Sequence, residues 1–109
     1  MEIISPGLGV EHHFCDGVYM KETFIEHGYK VSQHVHHFDH LSVLASGMAE
    51  VEVDGIKTTY RAPKILKIKA GKVHEVTALT DVIWICTHRD DETDPAKIDA
   101  SILSGEGWK

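Results

Sequence analysis

Apolar and polar residues alternate with a period of two over most of residues 18–88, and turn signals interrupt the alternation at short intervals. VYMKETFI (18–25) is rich in β-branched and aromatic residues and ends before Glu26-His27-Gly28. YKVSQHVH (29–36) and HLSVLASG (40–47) follow. MAEVEV (48–53) alternates strictly and stops at Asp54-Gly55, a pair favoured by type I′ hairpin turns. IKTTYR (56–61) returns as far as Ala62-Pro63, and ILKIKAG (65–71), KVHEVTAL (72–79) and DVIWICTH (81–88) complete the series. About eight strands at roughly 8–12-residue spacing predict an all-β fold, a sandwich or barrel.

Both ends of the chain differ from this pattern. Asp94-Pro95 reads as a helix N-cap followed by proline at the first helical position. Ile98, Ile102 and Leu103 recur at helical spacing until Gly105, which predicts a short C-terminal helix over about 95–104. It is expected to pack on the barrel, with Trp108 docking nearby. His12 and His13 are assigned to a solvated N-terminal loop, and a single domain, 1–109, is expected.

Composition narrows the function classes. A chain of 109 residues with 42% apolar residues suits one hydrophobic core. Mean hydropathy is -0.17, and the longest apolar run is VIWIC (82–86), far short of the ~20 residues of a membrane span. The N-terminus shows neither a basic region nor an apolar stretch, so no secretory signal is read and a cytoplasmic protein is expected. Net charge is -6 with no basic stripe, which argues against nucleic acid as a partner. Cys15 and Cys86 are far apart and match no zinc-pair spacing, so they are read as free thiols.

The candidate chemistry is histidine. HVHHFDH (34–40) holds four of the nine histidines. On a strand, His34 and His36 share a face, so two imidazoles converge at a spacing that metal bonds of about 2 Å can use. His40 opens the next strand, and that return can bring it to the same locus; a polar, solvated turn is the alternative for the cluster. Spacing alone does not reach His74, in KVHEV. On the last strand, Trp84, Cys86 and His88 share one face and Ile83, Ile85 and Thr87 the other; the first set is assigned inward because it carries the chemically distinct groups. Phe38 is a candidate wall of the same pocket. His27 and His37, Glu50 and Glu52, and Lys67, Lys69 and Lys72 read as solvent-facing. No Ser/His/Asp order, phosphate loop or paired-carboxylate pattern stands out.

These residues resemble the cupin family. Its first motif, G-x5-H-x-H-x3,4-E-x6-G, is matched in spacing by Gly28, His34, His36, His40 and Gly47, with histidine at position 40 where the family carries glutamate. The second motif, G-x5-P-x-G-x2-H-x3-N, survives only as Gly71 and His74; Pro63, Lys69 and Ala78 stand at its other positions. The resemblance covers about residues 15–90 and implies a cupin β-barrel or jelly-roll sandwich there, with one divalent transition metal (Fe, Mn, Ni, Cu or Zn) on His34, His36, His40 and His74. An octahedral ion on four imidazoles would keep two open positions, whereas a tetrahedral zinc would be saturated. The resemblance further implies a metal-dependent enzyme, with dioxygenase chemistry first and isomerase or lyase chemistry second, acting on a small organic acid or carbonyl compound. A non-catalytic small-molecule or metal-sensing module is the alternative, with a metal-storage role behind it. It also implies a homodimer formed through sheet edges.

Overall fold

The computed structural model describes residues 2–33 and 39–89, with the side chains of residues 33, 88 and 89 excepted. The helix expected over 95–104, Trp108, and His34, His36, His37 and Phe38 lie outside the described residues. Among those described, every regular element is a strand: β1 (Glu2–Ser5), β2 (Leu8–Cys15), β3 (Val18–Ile25), β4 (Lys30–Gln33), β5 (His40–Ser46), β6 (Met48–Val53), β7 (Ile56–Arg61), β8 (Lys64–Ile68), β9 (His74–Ala78) and β10 (Val82–Arg89). No described helix is long and apolar enough to cross a membrane.

The strands form two antiparallel sheets, ordered β1-β2-β3-β10-β5-β8 and β4-β9-β6-β7. The inner faces follow from alternation. Ile25, Leu44, Val82 and Trp84 from the larger sheet meet Val31, Ala49, Val51, Val76 and Ala78 from the smaller one in a continuous buried cluster. Side chains from two facing sheets interdigitating in this way make a sandwich core.

Two turns show why the strands end where they do. Asp54 and Gly55 both take positive φ, 53° and 79°, as a two-residue type I′ turn requires, and Val53 pairs directly with Ile56. Gly47 joins β5 to β6 at φ 88°, and a Cβ there would collide with the Asp81 carbonyl oxygen. Thr80 reinforces the junction, its Oγ1 accepting the Met48 N–H at 3.0 Å.

The N-terminal expectation is corrected. Residues 8–15 are a strand rather than a loop, paired residue for residue with β3 from Leu8↔Ile25 to Cys15↔Val18. Their alternation is obscured in the sequence because β2 is exposed over most of its length, so polar residues occupy both faces. His12 is half-buried, its Nδ1 2.6 Å from the Tyr19 hydroxyl and its ring stacked on that of Tyr19.

Candidate metal and ligand site

His74 opens β9, and the alternation of that strand turns His74, Val76 and Ala78 into the barrel. It is 2% exposed. Burial lowers its pKa below the ordinary imidazole value, against the opposing influence of the Asp54 carboxylate and the Lys72 backbone. A histidine kept neutral by burial retains the lone pair that a metal ion needs. In the ladder His74 sits between Gln33 of β4 and Val53 of β6. Gln33, the last residue of β4, is thus the described residue next in sequence to the histidine cluster, and it pairs with His74.

His40 opens β5 in the other sheet and pairs with Ile68 of β8. With Ser42 and Leu44 it faces inward, at 8% exposure. The residue before it is fixed from outside: Asp39 Oδ1 accepts the Ala70 N–H at 2.7 Å, and Lys69 Nζ lies 3.9 Å from Asp39 Oδ2. That N–H, aided by Lys69, Lys67 and His40, holds the Asp39 carboxyl below its usual range despite some desolvation. The segment it anchors, Ile68–Ala70, runs through Gly71 into His74.

A cavity of about 300 Å3 opens beside His74. Val51 and Val53 of β6, Tyr60 of β7 and Leu66 and Ile68 of β8 give it apolar walls, while Lys67, Lys69, Lys72 and Asp54 bring charge to its margin. It lies where β7 and β8, the end strands of the two sheets, face one another without a ladder between them. Lys72 donates to Asp54 Oδ2 at 2.6 Å, closing one side. An apolar concavity with a few charged groups at one end suits a small organic ligand with a polar head.

Trp84 and Cys86 belong to the buried core, and Ser42 Oγ donates to Cys86 Sγ at 3.5 Å. Neither lines this cavity. His88 is described only by its backbone, opposite Tyr19. His27 is exposed, as read from the sequence.

Two features escaped the sequence reading. Lys21 is buried to 3% exposure, at the inward parity of β3 and directly across from Cys86. The alternation of VYMKETFI carried the signal, since Tyr19, Lys21, Thr23 and Ile25 share one parity. Glu11, His13 and Glu22 place ligand atoms within 4.8 Å of one another, outside the barrel. That grouping depends on the β2–β3 register, where Glu11 pairs with Glu22, and it lies on the opposite face from His40.

No family model matches the chain, and no curated protein matches it. Solved structures do. An RmlC-like cupin from Shewanella frigidimarina superposes at TM-score 0.72 with 22% identity over 85% of each chain. The cupin domain of an XRE-family transcriptional regulator from Enterobacter cloacae gives TM-score 0.66 and 16% identity, covering 79% of this chain and 99% of that one. Salicylate 1,2-dioxygenase from Pseudoaminobacter salicylatoxidans, a mutant in complex with gentisate, gives TM-score 0.69 and 10% identity, covering 98% of this chain and 30% of that one. The fold of this chain is the cupin fold.

Proposed function

We propose that this chain binds one divalent transition metal through His34, His36, His40 and His74 and acts as a metal-dependent enzyme on a small organic acid or carbonyl compound. The observation that carries the reading is the conjunction at His74: a buried imidazole beside Gln33 on one flank and an apolar cavity on the other.

The donor set fits a borderline metal. His40 and His74 are buried imidazoles delivered by opposite sheets, and imidazole suits Zn, Cu, Fe and Ni. When bound, the ion would supply Lewis acidity toward a carbonyl or carboxylate oxygen or, if redox-active, a position for dioxygen. The protein's own part is positioning. Val51, Leu66 and Ile68 exclude water from the body of the ligand, and the lysines at the margin attract its anionic end. Asp39 holds the start of β5, and with it His40, against Ala70.

The dioxygenase among the structural neighbours supports catalysis, and the regulator domain supports the second reading, a module that binds without turnover. Titrating the metal-loaded protein with small hydroxy- and oxo-acids, while following their consumption by NMR, separates the two. Catalysis predicts turnover that His74→Ala abolishes. Saturable binding with every acid recovered unchanged would instead establish the binding module.

A further inference from the structure

We propose that Lys21, Thr23 and Trp84 form an internal seat for the carboxylate of a small organic acid. The inner face of an antiparallel sheet in a sandwich is expected to be apolar. On β3 the inward positions are instead Tyr19, Lys21, Thr23 and Ile25, so three of the four carry a polar atom. The Tyr19 hydroxyl has His12 Nδ1 at 2.6 Å, and Ser42 donates to Cys86. Thr23 and Trp84 differ. Thr23 is 0% exposed and Trp84 1%, and among the described residues neither Thr23 Oγ1 nor Trp84 Nε1 meets a hydrogen-bond partner. Buried polar groups left unmade are costly and rare in native proteins, and a group that binds a ligand is one reason to keep them.

The register places the three groups together. Thr23 and Trp84 are direct partners in the β3–β10 ladder, and Lys21, two residues before Thr23, is the diagonal neighbour of Trp84. Such positions lie about 5 Å apart when opposite and about 7–8 Å on the diagonal, within reach of an indole and a lysine. Their chemistry selects the ligand. An ammonium and an indole N–H only donate, and a threonine hydroxyl donates as readily as it accepts, so the atoms that meet them must accept. The positive charge favours an anion, and a carboxylate offers two oxygens that take several donors at once. The ammonium has three N–H bonds, so a protein partner and an anion can share it.

One ladder row leads from the cavity beside His74 toward this seat. Leu66, which lines the cavity, stands opposite Ser42, Ser42 opposite Cys86, and Cys86 opposite Lys21. The ligand class rests on the function proposed above, and the seat adds what holds the acid group. Lys67 and Lys69 are exposed at the cavity margin, where salt and water screen them, and they guide the anion rather than hold it.

Fluorescence titration of the full chain after chelator treatment tests the seat apart from the metal site. The chain has two tryptophans, so Trp108→Phe leaves Trp84 as the reporter. Acetate, pyruvate and benzoate are the probes, with acetamide and benzamide as uncharged controls. At least one acid is expected to change Trp84 emission saturably, and an uncharged control to bind about ten-fold more weakly or worse. Lys21→Met is expected to weaken the acid about ten-fold or more, and Lys67→Ala to leave it unchanged. Thr23→Val is expected to weaken binding while raising the thermal midpoint of ligand-free protein, because a buried unmet hydroxyl is removed. A hydroxyl with a purely structural role would lower that midpoint instead. The proposal is overturned by no saturable response to any acid, by amides that bind as well as acids, or by binding that falls with Lys67→Ala and not with Lys21→Met. Should Lys21→Met fail to fold by circular dichroism, the acid–amide comparison and Thr23→Val decide. With no metal present, a failed seat leaves the four-histidine site standing, and a failed metal site leaves the seat.

Discussion

The carboxylate of Asp39 accepts the backbone N–H of Ala70 at 2.7 Å, and that bond ties the entrance of β5 to the segment leading into β9. His40 follows Asp39 directly, and His74 follows Ala70 after one short turn. A single exposed side chain thus couples the placement of two imidazoles from opposite sheets. Asp39→Ala should lower metal affinity about ten-fold or more, as loss of an outer-shell support does elsewhere. Competition with a chromophoric chelator would measure it, and an unchanged affinity would remove Asp39 from the site's design.

His74 makes the metal-free protein sensitive to acid. Its folded-state pKa lies below the ordinary value of 6.5, chiefly through burial. The unfolded chain therefore takes up a proton that the folded chain resists. This contribution to stability is full above about 6.5 and is lost as pH falls through the lowered folded value. Urea midpoints of metal-free protein should drop between about pH 7.5 and pH 5, and His74→Gln should flatten that drop. A parallel fall in both proteins would assign the effect to other groups.

Gly47 and Gly55 both adopt positive φ, but only one is crowded. Alanine at position 47 would meet the Asp81 carbonyl as well as the left-handed backbone, whereas position 55 has open space around it. Gly47→Ala should therefore destabilise by well over ~1 kcal/mol and by more than Gly55→Ala, as comparative thermal melts would show. Equal losses would mean that φ alone sets the cost.

Leu44, on the same strand and the same inward face as His40, is fully buried within the same cluster as Trp84. Leu44→Ala should cost about 2–5 kcal/mol in denaturant unfolding, the usual range for a core truncation that leaves a cavity. A loss under ~1 kcal/mol would indicate that the core repacks.

The sequence made the architecture legible wherever alternation and turn chemistry agreed. MAEVEV, Asp54-Gly55 and IKTTYR became β6, its turn and β7 at the expected residues. The strand β2 was missed because an exposed strand lacks a clean apolar parity: Glu11, His12 and His13 mask it. What a local pattern cannot contain is the pairing of remote strands. The register that sets Gln33 beside His74 joins residues 41 positions apart in the chain, and the expectation that His74 joins the histidine cluster came from the resemblance to cupin spacing alone. The cavity between β7 and β8 was invisible for the same reason, since Tyr60, Leu66 and His74 read separately as ordinary strand positions. Lys21 was legible in principle, being a cation at an inward parity, but a strand assignment alone does not reveal which parity is buried.

The most direct test of the central claim is elemental analysis of protein purified without added metal, comparing wild type with His40→Ala, His74→Ala and the surface variant His13→Ala. The four-histidine account predicts about one transition-metal ion per wild-type chain, strong depletion in His40→Ala and His74→Ala, and full occupancy in His13→Ala. Metal retained by His40→Ala and His74→Ala but lost from His13→Ala would contradict it and move the site to the Glu11–His13–Glu22 group.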